Sequence, residues 1–157
     1  MDEQALWYLS GAVDSLMNLR VQIVKKDDTS LGYRVGVELT LSRSKNDNPI
    51  FGLLADYCEQ HNTYYQIHEG NKTYIFKVTS CTNIQKFLDP IIGGFLQQRE
   101  RSEFFIENVI PVFQPSPPTT KEEIIEVAEV SERLNKLPSQ SQTKYTADYF
   151  RDEWDMS

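Results

Sequence analysis

The sequence predicts an α+β fold in the order αββαββα: a four-stranded antiparallel sheet, helices on one face, and additional C-terminal helices. Two pairs of strand-like runs alternate with period two, and each pair is joined by a short polar turn, as in a hairpin. Each pair is preceded by a segment whose apolar residues recur at helical spacing. Two antiparallel hairpins joined by helices make one sheet with one covered face, which leaves the other face to solvent or a ligand.

The first helix covers residues 4–17, where Ala5, Leu6, Leu9, Val13, Leu16 and Met17 fall on neighbouring faces. Gly11 and Ser15 are four apart and share a face; with Ser10 they allow a second helix to come close. The alternative is a surface helix that tolerates a glycine, at a cost of up to about 1 kcal/mol against alanine. Arg20 to Lys26 reads as a strand, Asp27 to Ser30 as a turn, and Tyr33 to Ser42 as a second strand. Val35, Val37, Leu39 and Leu41 are expected to face a core, with Arg34, Glu38, Thr40 and Ser42 facing out.

Asn48-Pro49 opens a helix, with Asn as cap and Pro in the first turn. It carries Ile50, Phe51, Leu53, Leu54 and Tyr57 and ends near His61-Asn62. Tyr64 to His68, a turn over Glu69-Gly70-Asn71, and Lys72 to Thr79 form the second hairpin. Thr82 to Gln85 has capping-box spacing and opens a helix holding Ile84, Phe87, Leu88 and Ile91. Gly93-Gly94 bends or interrupts it, and residues 99–110 resume a helical pattern. Gln114 to Pro118 is a linker or extended loop. Thr120 to Glu123 repeats the capping-box spacing before a helix with Ile124, Val127, Ala128 and Leu134 on one side. A polar loop over Pro138 to Thr143 leads to a last short helix capped by Thr146, which docks through Tyr149, Phe150 and Trp154. Residues 1–113 read as a core and 114–157 as a C-terminal helical extension of the same domain.

Composition limits the function classes. Hydrophobic residues make up 39% and charged residues 25% of 157, which suits a globular domain with one core. No apolar run is long enough to span a bilayer, and the acidic start lacks a signal peptide's features. The expectation is an intracellular, non-secreted protein with no membrane partner; cytoplasm and organelle (chloroplast or mitochondrion) stay open. Cys58 and Cys81 have no metal or redox spacing and read as reduced thiols. Neither lies in a nucleophile motif, His61 and His68 lack partners at metal-ligand spacing, and no glycine-rich phosphate loop is present. The net charge of −7 argues against nucleic acid at first sight. It is unevenly spread: residues 1–114 hold 11 Lys and Arg against 14 Asp and Glu, and residues 115–157 hold 5 against 9. A local basic face therefore remains open to the first part.

The run Leu9-Ser10-Gly11-Ala12-Val13-Asp14-Ser15-Leu16-Met17 leads straight into the first strand. With the Phe51 helix, the Tyr74-Ile75-Phe76 strand, Leu88-Asp89-Pro90 and the segments 126–137 and 144–154, it resembles the single-motif LAGLIDADG homing endonucleases over nearly the whole chain. The resemblance implies a homing endonuclease-like fold whose sheet forms a saddle over the DNA major groove. It also implies a homodimer, because a one-motif chain supplies half of a two-motif site, and a two-fold dimer calls for a pseudo-palindromic double-stranded DNA target. Leu9, Ser10, Gly11, Val13 and Ser15 are the implied dimer contacts.

In active relatives the motif's second acid binds catalytic Mg²⁺. Here it is Leu16, and an isobutyl group offers no oxygen to a hard cation. Asp14 keeps the first acid, which the resemblance assigns to supporting the helix ends. Leu41 falls where active relatives often carry a glutamine, and Gln98 where a basic residue usually sits. The segment Gln66-Ile67-His68-Glu69 lacks the arginines that help there. No catalytic set is intact, so the resemblance implies a pseudoenzyme of endonuclease ancestry that needs no cofactor and no metal. The alternatives are an active Mg²⁺-dependent endonuclease using Asp14 or Glu38, a nicking heterodimer with an active relative, a maturase-like splicing helper with intron RNA as partner, and a protein-interaction module.

Strand phase gives the expected DNA-binding face: Arg20, Gln22, Lys26, Arg34, Glu38, Thr40, Ser42, Gln66, His68 and Lys77. Arg and Gln read guanine and adenine edges, and a carboxylate such as Glu38 can accept from cytosine. The plainer reading is a solvated sheet face. Lys25, Arg43, Lys45 and Lys72 are phosphate-contact candidates or ordinary surface charge.

Overall fold

Asp2 starts the first helix by accepting the Ala5 N–H at 2.7 Å, which satisfies one of the free donors of the opening turn. In the computed structural model, which describes residues 1–46, 49–137 and 144–156, helix α1 spans Glu3–Leu16. Met17 turns extended and the chain enters β1 (Asn18–Lys25) without a loop. β1 pairs antiparallel with β2 (Tyr33–Ser44), setting Leu19 opposite Leu39 and Ile23 opposite Val35. Gly32 closes the intervening turn at φ 83, a conformation that favours glycine. α2 (Pro49–Gln60), β3 (Gln66–Glu69), β4 (Thr73–Thr79) and α3 (Cys81–Leu88) follow. β4 pairs with both β2 and β3, so the sheet order is β1-β2-β4-β3 and the hairpins lie side by side. This is the expected αββαββα arrangement.

Some boundaries differ from expectation. β3 begins at Gln66, because the Tyr64 N–H donates to Asn83 Oδ1 at 3.1 Å. Ser80, not Thr82, caps α3: its hydroxyl accepts the Asn83 N–H. α3 stops at Leu88, short of Ile91, because Pro90 has no N–H to continue the helical hydrogen bonds. A 3-10 turn at Ile92–Gly94 then leads to α4 (Arg99–Phe104), a π-helical stretch (Phe105–Val109) and α5 (Ile110–Phe113). Pro111 lacks a donor at the point where the helix widens. α6 (Lys121–Asn135) carries the expected capping box between Thr120 and Glu123, and Thr146 caps α7 (Ala147–Glu153). The Asn48 cap and the loop at 138–143 lie outside the described residues.

The helices pack on the sheet face formed by Leu19, Val21, Ile23, Val37, Leu39, Leu41, Phe76 and Val78, all buried. The core also holds one cation. The Arg101 guanidinium donates to Leu19 O at 3.0 and 2.7 Å and to Leu134 O at 2.7 Å, tying β1 to α6, and burial pulls its pKa below the usual arginine value. The C-terminal helix docks as expected. The Tyr33 ring meets Tyr145, Tyr149, Phe150 and Trp154 edge-on, and its hydroxyl donates to Glu153 at 2.5 Å. Among the described residues no helix is long and apolar enough to cross a membrane.

Candidate nucleic-acid interface

The pairing register gathers the outer-phase side chains into rows. Arg20, Glu38 and Thr79 form one row, and Asn18, Thr40, Lys77 and Gln66 the next. Ser42, Ile75 and His68 form a third, with Gln22 opposite Gly36 and Arg34 opposite Val24 toward the other end. The expected face is therefore one continuous surface, opposite the helices. Arg34, Ser42, Gln66 and His68 are exposed, while Arg20, Gln22, Thr40 and Lys77 are half-buried. Lys26 lies one residue beyond β1, in the turn. Asn18, Val24, Ile75 and Thr79 were missed. Asn18 precedes the expected strand start, Thr79 ends the last strand, and Val24 and Ile75 are apolar residues whose outward phase is hidden beside Ile23 and Phe76.

Glu38 corrects an expectation. It has the outward phase yet is only 1% exposed. Arg20 Nε donates to Glu38 Oε1 at 2.5 Å with Nη2 on the same oxygen, and Lys77 Nζ lies 3.5 Å from Oε2. On a central strand two long cations fold over a carboxylate from opposite sides, so it is covered rather than presented. Elsewhere Arg34 sits 3.8 Å from Asp28, both exposed, and Gln66 links Tyr64 to His68 by side-chain hydrogen bonds. Lys45 pairs with Glu69 at 2.6 Å over the Tyr74 ring, while Lys25 and Lys72 are exposed.

α1 presents two sides. Leu9 and Val13 have no exposed surface, and Ser10 donates to Ile91 O at 3.0 Å, so these three expected dimer contacts belong to the chain's own core. A helix has only one outer stripe, and the sheet, α2 and the turn after α3 take the rest. Gly11 and Ser15 are exposed. They line an open groove of about 520 Å³ with Trp7, Tyr8, Ala12, Leu16 and Arg43. Trp7 is 72% and Tyr8 57% exposed. Both were missed, although Trp7-Gly11-Ser15 and Tyr8-Ala12-Leu16 repeat at helical spacing. A smaller hollow of about 170 Å³ joins Tyr8, Ala12, Leu16 and Arg43 to the start of α2.

Asp14 is buried. Its carboxylate accepts the N–H groups of Leu96 and Gln97 at 3.0 Å and of Gln98 at 2.7 Å, which locks the turn before α4. Leu16 is half-buried at the groove and Leu41 is core. Gln98 is buried, with Nε2 3.5 Å from Met17 O and Oε1 without a hydrogen-bond partner. Among the described residues no group of three or more His, Cys, Asp or Glu side chains is placed to hold a metal ion. Burial pushes the Cys58 thiol up to about 12 and Cys81 up to about 11, so neither is a thiolate nucleophile near neutral pH.

No family model and no curated protein sequence matches the chain. Solved structures do. The chain is similar to the homing endonuclease I-CvuI in complex with the I-CreI target, in 2 mM Mg with the DNA not cleaved: TM-score 0.75, 20% identity, 96% of this chain and 92% of that one. It is similar to the archaeal intron-encoded homing endonuclease I-Vdi141I complexed with DNA: TM-score 0.71, 16% identity, all of both chains. The LAGLIDADG homing endonuclease I-SmaMI bound to cleaved DNA gives a TM-score of 0.70 at 13% identity, with 96% of this chain on 47% of that one. The fold is thus that of the LAGLIDADG homing endonucleases, and one copy of it is present.

Proposed function

We propose that this chain is a homodimeric, sequence-specific double-stranded DNA-binding protein that does not cut its target. The observation that carries the reading is the outer sheet face. Arg20, Gln22, Arg34, Thr40, Ser42, Gln66, His68 and Lys77 form a polar surface with cations at Arg20, Arg34 and Lys77, opposite the helices, in a fold whose matching structures hold DNA. A pleated two-stranded ribbon fits the major groove, and these side chains carry donors and acceptors suited to base edges. The acidic net charge does not oppose this, because attraction to a polyanion depends on local charge, and residues 115–157 carry −4 of the −7.

The outer stripe of α1 supports the dimer. Trp7 and Tyr8 stand beside Gly11 and Ser15, a surface that a second copy of the same helix would cover. Leu96, 89% exposed and tied to α1 through Asp14, is a third exposed apolar side chain. Two-fold pairing through α1 sets two sheet faces side by side and calls for a pseudo-palindromic site.

The donor set at the inner end of α1 does not fit Mg²⁺. Leu16 offers no oxygen, both Asp14 oxygens are engaged by backbone N–H groups, and Glu38 is held by Arg20 and Lys77. These residues support binding without cleavage. Selection from a random duplex DNA library, followed by incubation of the selected duplex with Mg²⁺, tests the reading. Palindromic enrichment with the duplex intact is the expected result. Enrichment with strand cleavage would restore an active endonuclease, and a protein that stays monomeric by sedimentation with no enrichment at low salt would end the proposal.

A further inference from the structure

We propose that Glu38 is a positioning residue that turns Arg20 into an end-on reader of guanine in each half-site; this rests on the DNA-binding reading above. Arginine has five N–H donors in a rigid planar fork. Glu38 Oε1 takes the Nε donor and one Nη2 donor, which occupies the side edge of the guanidinium. One Nη2 and two Nη1 donors remain. The two that point off the far end are parallel, and guanine presents O6 and N7 to the major groove at matching spacing. Arg20 lies directly opposite Glu38 in the register, and its side chain is 43% exposed. It is anchored along the Nε–Nη2 edge and partly exposed.

Glu38 itself has no such freedom. Its side chain is 1% exposed and both oxygens are shared, Oε1 with Arg20 and Oε2 with Lys77. It has no accessible oxygen to accept from cytosine, and it acts only through the cations it holds. Lys77 carries a rotatable point charge and brings affinity without a fixed direction, whereas Arg20 brings a fixed direction. The carboxylate also cancels one of these two charges, so the pair of cations adds less to non-specific phosphate attraction than it would alone.

Base preference and charge therefore move in opposite directions when Glu38 is neutralised, which a merely structural role would not produce. Random-duplex selection on the full-length protein, with Glu38→Gln and Arg20→Lys beside it, reads both. The unaltered chain is expected to prefer a G·C pair at one position per half-site. Glu38→Gln weakens that preference about tenfold, leaves the other positions unchanged, and raises affinity for a random-sequence duplex at low salt. Arg20→Lys keeps the ion pair and loses the same preference, and thermal melting reports whether each variant is folded. Should Glu38→Gln melt early, Arg20→Lys decides: retained guanine preference overturns the proposal. Guanine preference kept in folded Glu38→Gln, or weakened equally at every position, also overturns it while leaving DNA binding intact. Failure of the unaltered chain to enrich any sequence sinks both readings.

Discussion

The inner and outer stripes of α1 use small residues in opposite ways. On the inner stripe Ser10 meets the turn after α3 so closely that a Cβ on Gly94 would lie 2.5 Å from Ser10 Oγ. One turn further, Asp14 takes the three N–H groups of residues 96–98. On the outer stripe nothing lies within 4 Å of a Cβ built on Gly11, and Trp7 and Tyr8 stand exposed beside it. The inner small residues meet distant parts of the chain, whereas on the outer stripe Gly11 meets nothing and Ser15 bonds only to Ala12 O in its own helix. A small side chain signals that something comes close; only the packing says whether that is the same chain or another surface.

Five substitutions break or sharpen that contrast. Asp14→Ala removes the acceptor for three backbone donors and is expected to cost about 3 kcal/mol or more in urea unfolding; an unchanged midpoint would mean that the 96–98 turn is held by other contacts. Gly94→Ala forces Ser10 Oγ to move and to give up its bond to Ile91 O, a loss of about 1–2 kcal/mol. Adding Ser10→Ala should recover part of that loss, a coupling that a double-mutant cycle detects. Gly11→Leu does the reverse on the outer stripe. It fits the monomer, raises helix propensity by up to about 1 kcal/mol, and raises the dimer dissociation constant at least about tenfold in sedimentation. Equal dimerisation by that variant would move the interface away from α1. Arg34→Ala, on the exposed sheet face, should leave folding unchanged and weaken binding to the selected duplex by about 1 kcal/mol, measured by titration.

The features legible in the sequence were the local ones. Alternation in β2 is visible because successive side chains take opposite faces, and the Thr120–Glu123 box is visible because both partners lie within one turn. Local reasoning erred where a competing local signal existed. Thr82 to Gln85 has the spacing of a cap, yet Ser80 takes the role, since its hydroxyl meets the Asn83 N–H. Leu9 and Val13 belong to the motif, but helix rotation turns them inward. Glu38 has the outward phase of β2, and its burial depends on Arg20 across one strand pair and Lys77 diagonally across the other. The local sequence gives no sign that Arg101 is buried; its place under β1 rests on carbonyls at Leu19 and Leu134, far away in the chain.

By itself the sequence determined the kinds and order of the elements, the two hairpins, the phase of each strand and the absence of a carboxylate at Leu16, all properties of neighbouring residues along one chain. The tertiary structure alone decided which hairpin strands adjoin, which stripe of α1 stays open, and that a carboxylate on the outer sheet face is held by two cations. Those outcomes depend on rotation and register between segments distant in sequence, where one turn of a helix or one step of a strand exchanges a buried side chain for an exposed one.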